Sequence, residues 1–275
     1  MRIDSHHHFW DYDAEAYAWI GKEMEVLKRD FGPIDLASET EAVGIEGVVS
    51  VQARQDVEET SWLLKVAEQH PWIKGVVGWV PLQSPKVEAV LDSLASASLC
   101  GVRHVVQGEA DDEFLLRDEF NRGVLLLKDR GLVYDILIYA RQLPQTIPFV
   151  DRHPEQPFVV DHIAKPVIEE TQFDTDWEKH IRALAERPQV YCKFSGVVTE
   201  VVDSEWSLEL IRPYWDVVLN AFGPERLLFG SDWPVCLLRA SYGEWFSLAE
   251  ALAEDLSEEE RAHFFGENAV AVYGL

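Results

Sequence analysis

Eight short runs of β-branched or apolar residues recur along this 275-residue chain, separated by segments whose apolar residues repeat with helical spacing. The runs are RIDSHHHF (2–9), GVVSVQ (47–52), KGVVGWV (74–80), CGVRHVV (100–106), LVYDILI (132–138), PFVVDHI (157–163), QVYCKFS (189–195) and RLLFGSD (226–232). Between them lie stretches such as DVEETSWLLKVAEQH, FLLRDEFNRGVLLLKDRG and DWEKHIRALAERP, whose apolar side chains fall on one helical face. Strands that alternate with helices pair in parallel, because each helix carries the chain back along the sheet. Eight such repeats within roughly 230 residues predict an α/β fold, a single closed (β/α)8 barrel spanning residues 1–275. An open doubly wound sheet would want a glycine-rich phosphate loop after its first strand, and HHHFWDYD is no such loop.

Composition narrows the partners. Forty-nine acidic residues against 24 basic ones give a formal charge of −25, which repels phosphate backbones and argues against nucleic acid. No stretch reaches the roughly 18 consecutive apolar residues of a membrane span, and the acidic, histidine-bearing start has no signal-peptide pattern. Cys100, Cys192 and Cys236 are far apart with no CxxC spacing, which suits a reducing cytoplasm and argues against a cysteine zinc site.

The first run contains three consecutive histidines. A purification tag is longer and sits in a flexible linker, whereas this triplet follows Ile3 and runs into Phe9 and Trp10. Strand alternation places Asp4, His6 and His8 on one face and His7 on the other. Active sites of such barrels form at the C-terminal strand ends. The unusual polar residues collect there: His6 and His8 on the first strand, Gln52 and Arg54 after the second, and Gln107 after the fourth. His162 ends the sixth, Lys193 and Ser195 the seventh, and Asp232 the eighth. Buried without partners, each ionisable group would cost several kcal/mol, so their convergence points to a shared site. Asp232 is placed to take a proton from water. His6, His8 and His162 with Asp232 supply three nitrogens and one oxygen, a set that suits zinc; the same imidazoles alone would polarise a carbonyl directly. Either arrangement describes hydrolysis at an acyl carbon. Ser231 lies in GSDWP and lacks the G-x-S-x-G elbow of a serine nucleophile.

The ordered set IDSHHHFW, GVRHVVQ, ARQLP, VVDHIAKP, VYCKFSGVVTE and LLFGSDWPV, spread over nearly the full chain, resembles the amidohydrolase superfamily. Within it the resemblance is to the branch of sugar lactonases (L-fucono- and L-rhamnonolactonases) and the related 2-pyrone-4,6-dicarboxylate lactonases. The resemblance implies that Asp232 activates the hydrolytic water and that His6, His8 and His162 surround the scissile carbonyl or a metal. It implies that Trp10, Arg103, Gln107, Arg141, Lys193 and Trp233 line the substrate pocket. The fourth strand lacks the bridging Lys or Glu of binuclear members, with Glu109 two residues beyond it, and the fifth has no histidine. One divalent metal at most is therefore expected, zinc on this donor set and not necessarily required, with chelation removing less than about tenfold of the activity.

The activity expected is opening of a neutral sugar-acid lactone to its aldonate by an Asp-activated water, with the lactone as partner and homo-oligomers left open. Two other readings stand beside it: a metal-dependent non-oxidative decarboxylase of the same superfamily, and a silent barrel that only binds a sugar acid.

Overall fold

The computed structural model describes residues 1–202 and 204–275. Eight strands, β1 (Ile3–His7), β2 (Gly47–Val51), β3 (Ile73–Gly78), β4 (Leu99–Val105), β5 (Val133–Leu137), β6 (Phe158–Val160), β7 (Val190–Phe194) and β8 (Leu227–Phe229), form one sheet in chain order. Every neighbouring pair is parallel. Helices α1 (Pro33–Val43), α2 (Val57–Gln69), α3 (Val87–Ser93), α4 (Asp118–Lys128), α5 (Leu143–Asp151), α6 (Thr175–Ala185), α7 (Leu208–Phe222) and α8 (Tyr242–Leu252) follow successive strands, and α9 (Glu258–Ala262) and α10 (Asn268–Tyr273) end the fold. The (β/α)8 barrel expected from the alternating pattern is the architecture found. No helix among the described residues is long and apolar enough to cross a membrane.

The seam that closes the barrel is also where the candidate site lies. Between the first and last strands, the Asp232 amide donates to the His6 carbonyl at 2.8 Å and the His8 amide donates to the Trp233 carbonyl at 2.7 Å. Barrel closure itself therefore sets Asp232 beside His6 and His8.

Register on β1 departs from simple alternation. Ile3, Asp4 and His7 pair with Gly47, Val48 and Ser50, so three steps on β1 oppose two on β2, as at a β-bulge. The extra residue turns Asp4 away from the face shared by His6 and His8. Its carboxylate instead accepts from the Ser231 amide at 2.8 Å, the His6 amide at 3.1 Å and the Tyr242 hydroxyl on α8 at 3.1 Å. Burial pushes the Asp4 pKa up to about 6 against these bonds. The expectation that Asp4 joins the two histidines fails at the bulge.

The apolar core has two parts. A larger shell lies between strands and helices, and a smaller cluster fills the lower barrel with Ile3, Val49, Val51, Val77, Val133, Val159 and Leu228, to which α10 adds Ala269 and Tyr273. All three cysteines are buried and free.

Candidate active site

Two of the expected strands run too far. β6 stops at Val160 and β8 at Phe229, and the residues just beyond leave the extended conformation. His162, Ile163, Ala164 and Lys165 all have left-handed backbones, with φ of 51°, 49°, 61° and 49°, and Asp232 has φ 57°. L-residues pay roughly 1–2 kcal/mol each for that conformation, and Ile163, being β-branched, is the least suited. The run breaks strand alternation, so that Asp161 and His162, neighbours in sequence, both face His6. It also brings Lys165 to the cavity wall.

Asp232 faces three imidazoles. Its Oδ1 lies 3.3 Å from His8 Nε2, 3.7 Å from His6 Nε2 and 3.9 Å from His162 Nε2, while the two Nε2 atoms of His6 and His8 are 3.3 Å apart. Second partners set the tautomers. His8 Nδ1 is 2.8 Å from the Val51 carbonyl, which only accepts, so Nδ1 carries the proton. His162 Nδ1 faces the Ser195 carbonyl at 3.1 Å and the Ser195 hydroxyl at 2.9 Å; the carbonyl again requires a proton there. His6 Nδ1 is 3.3 Å from Asp161 Oδ1. In His8 and His162 the Nε2 lone pair is thereby turned toward Asp232, while His6 Nδ1 also has Lys193 Nζ at 3.3 Å.

Three lone pairs and a carboxylate oxygen at these distances repel unless a cation lies among them. Donors held about 2.1 Å from a tetrahedral zinc are about 3.4 Å from one another, so the separations among His6, His8 and Asp232 fit a divalent metal, while His162 stands farther off and groups instead with His6 and Asp161. Burial lowers the His6 pKa far below its ordinary value and that of His162 to about 4, keeping both rings neutral, the form that ligates. Burial disfavours the Asp232 carboxylate, yet the positive charge that the facing His162 and His6 acquire on protonation, with the bond from His8, outweighs it and holds its pKa well below the ordinary range. With Nδ1–H toward the Ser195 carbonyl, neutral His162 presents its Nε2 lone pair to the cavity, the form that suits a metal.

Gly196 makes the approach possible. It has φ 62°, and a Cβ there would sit 2.6 Å from Asp232 Oδ2 and 3.0 Å from His162 Nδ1.

A buried ion-pair chain underlies the site. Arg103 Nη1 binds Asp161 Oδ2 at 2.9 Å, Lys193 Nζ lies 3.1 Å from Asp161 Oδ1 and 2.5 Å from Asp135, and the Tyr273 hydroxyl donates to Asp135 at 2.8 Å. Burial works against charge on both Lys193 and Asp161. Asp135 and Asp161 nevertheless hold the Lys193 pKa up, and Lys193 with its neighbours holds that of Asp161 down.

Above Asp232 opens a cavity of about 500 Å³. His8, Arg103, Gln107, His162 and Asp232 line it, as expected. Four other expected lining residues do not. Trp10 is buried as an anchor of the long loop after β1, bonded through its amide and carbonyl to Phe31 and through its indole to the Arg29 carbonyl. Trp233 packs against Phe9 and Phe31. Arg141 is half exposed and paired with Asp112 at 3.4 Å. Lys193 lies fully buried beneath the cavity in the ion-pair chain. The cavity instead takes Trp19, Gln55, Asp56 and Lys165, which strand periodicity did not indicate. Lys165 pairs with Glu200 at 3.5 Å. Glu59 on α2 accepts the Ala53 and Arg54 amides at 3.0 and 2.8 Å, fixing the wall that carries Arg54.

A histidine pair on the first strand, a third histidine after the sixth and an aspartate after the eighth, all at the mouth of one barrel, define an amidohydrolase. The chain belongs to the amidohydrolase family, whose profile matches residues 3–275. It is 42% identical to an L-fucono-1,5-lactonase of Burkholderia multivorans, over 100% of this chain and 96% of that protein. It is 35% identical to an L-fucono-1,5-lactonase of Burkholderia ambifaria, again over 100% of this chain and 96% of the relative. A solved amidohydrolase structure from Burkholderia multivorans with bound zinc superposes with a TM-score of 0.96 at 43% identity, covering 100% of this chain and 99% of that one.

Proposed function

We propose that this protein is a lactonase that opens a sugar-acid lactone, L-fucono-1,5-lactone or a close relative, to the aldonate. The observation that carries the reading is Asp232, a carboxylate kept ionised and faced by three imidazoles beneath an open cavity. Two relatives of matching length, named as L-fucono-1,5-lactonases, support the substrate class.

Asp232 takes a proton from water as the oxygen attacks the lactone carbonyl. The tetrahedral oxyanion collapses, the ring C–O bond breaks, and the departing alkoxide takes the proton back from Asp232, leaving a free hydroxyl and a carboxylic acid that ionises. Arg103 and Lys165 are cations on the cavity wall that favour the developing negative charge. At a donor set of this kind, bound zinc supplies Lewis-acid polarisation of a carbonyl or of water. Gln107, Gln55 and the Arg54–Asp56 pair offer hydrogen bonds to sugar hydroxyls, while Leu137, Val105 and Trp19 give the cavity an apolar side.

The test is proton release from a panel of aldonolactones, with L-fucono-1,5-lactone first, measured with and without chelator and with residual metal quantified. Asp232→Asn should fold normally and lower kcat by at least about a hundredfold. No hydrolysis of any member of the panel would refute the lactonase reading, and near-normal turnover of the folded variant would remove Asp232 from the mechanism.

A further inference from the structure

Among the three imidazoles, His6 has a second neighbour at its metal-facing nitrogen. Arg103 Nη1 lies 3.3 Å from His6 Nε2, the same separation that His8 Nε2 keeps from it. The guanidinium is not free to swing away. Nη1 also binds Asp161 Oδ2 at 2.9 Å, Nη2 donates to the Gln52 backbone carbonyl and to Gln52 Oε1, and the side chain is buried.

Charge accounting points the same way. The ion-pair chain and Asp232 together hold the carboxylates of Asp135, Asp161 and Asp232 and the cations Arg103 and Lys193, a net charge of minus one. A divalent ion entering this cluster leaves it positive and uncompensated. Without Arg103 the cluster carries minus two, which a divalent ion neutralises.

We propose that Arg103 acts as a built-in competitor of the metal. Its guanidinium donates to the His6 lone pair that a metal needs and supplies part of the positive charge a metal would bring, so it weakens divalent binding at this site. Arg103 is thus a positioning residue that sets metal affinity, in addition to lining the cavity. A purely structural role in the ion-pair chain predicts no change in metal affinity when Arg103 is replaced, and a role confined to substrate contact predicts a change in KM alone.

The experiment is zinc titration of metal-stripped protein against a chromophoric chelator, with no lactone present, so its outcome is independent of whether the lactonase reading holds. R103M keeps most of the side-chain volume and removes the charge. It is expected to bind zinc at least about tenfold more tightly than the parent, and zinc should raise its Tm by more than it raises the parent's. R103K carries the test should R103M fail to fold. Its ammonium, anchored on Asp161, loses the donor aimed at His6, and zinc should bind at least about threefold more tightly than to the parent. A folded R103M, or R103K in its place, with unchanged or weaker zinc affinity overturns the proposal.

Discussion

The lower and upper halves of the barrel interior are both buried and chemically opposite. Along β5 the inward positions read Val133, Asp135 and Leu137: the first belongs to the apolar cluster, the second to the ion-pair chain, the third to the cavity wall. The lower half is held by packing of ordinary aliphatic side chains. One step higher, the charges of the chain face opposite ones, Asp135 and Asp161 on Lys193 and Asp161 also on Arg103, with the Tyr273 hydroxyl donating to Asp135. A packed layer tolerates the loss of a methyl group by degrees. A paired layer does not, because removing one member strands a charge in low dielectric.

Lys193→Met breaks the comparison most directly. It leaves Asp135 and Asp161 short of a partner in a fully buried site, and the unfolding free energy should fall by about 3–5 kcal/mol in urea melts. A loss below about 1 kcal/mol would show that the two layers respond alike. Leu228→Ala makes the matching change in the apolar layer. The expected cost is roughly 3 kcal/mol, with kcat on the lactone within about twofold of the parent. A large drop in kcat would mean that strain reaches the mouth from below.

A third comparison uses pH. Glu59 sits on α2 behind the cavity wall, away from the chain of pairs, and burial raises its pKa from 4.5 to about 7 despite the Arg54 and Ala53 amides it accepts. The folded state therefore holds a proton that the unfolded state releases, and stability falls as pH rises from about 5 to about 7. The slope from this group is at most about 1.4 kcal/mol per pH unit. Glu59→Gln should remove that part of the slope, as read from denaturant midpoints at several pH values; an unchanged slope would assign it elsewhere, Asp4 with its pKa of about 6 being the next source. The smallest stability effect belongs to Gly196→Ala, about 1 kcal/mol from a positive φ. Its kcat should nonetheless drop at least about tenfold, because the new methyl pushes on Asp232 and His162. Equal losses of stability and rate would make Gly196 merely structural.

The barrel was legible because its signal is repeated: eight strands each bury β-branched residues, and all eight observed strands lie in or within one residue of the runs read from the chain. His6, His8, His162 and Asp232 were legible because strand ends of such a barrel converge. What escaped depends on departures from period two. A single extra residue on β1 sent Asp4 outward. The left-handed run after β6 put Asp161 on the same side as His162 and brought Lys165 to the cavity, and no local periodicity announces such a turn. Trp10 and Trp233 look like ligand-stacking aromatics at strand ends, but the long loop after β1 needs an anchor and uses Trp10 as one. Lys193 was placed at the rim, whereas its position on β7 pairs with Leu228 of the apolar cluster and sets it inside the barrel.

The plug that α10 drives into the barrel floor has a consequence in time. Tyr273 is the hydroxyl donor to Asp135, and with Ala269 it completes the lower interior cluster. During synthesis the strands emerge in order, and β1 must wait for β8 to form the seam that joins His6 to Asp232. Even then the floor stays open, and Asp135 lacks its tyrosine, until residue 273 has left the ribosome. The seam at His6 and Asp232 and the Tyr273–Asp135 bond thus both join residues far apart along the chain, and neither can form from a part of it that lacks β8 and α10.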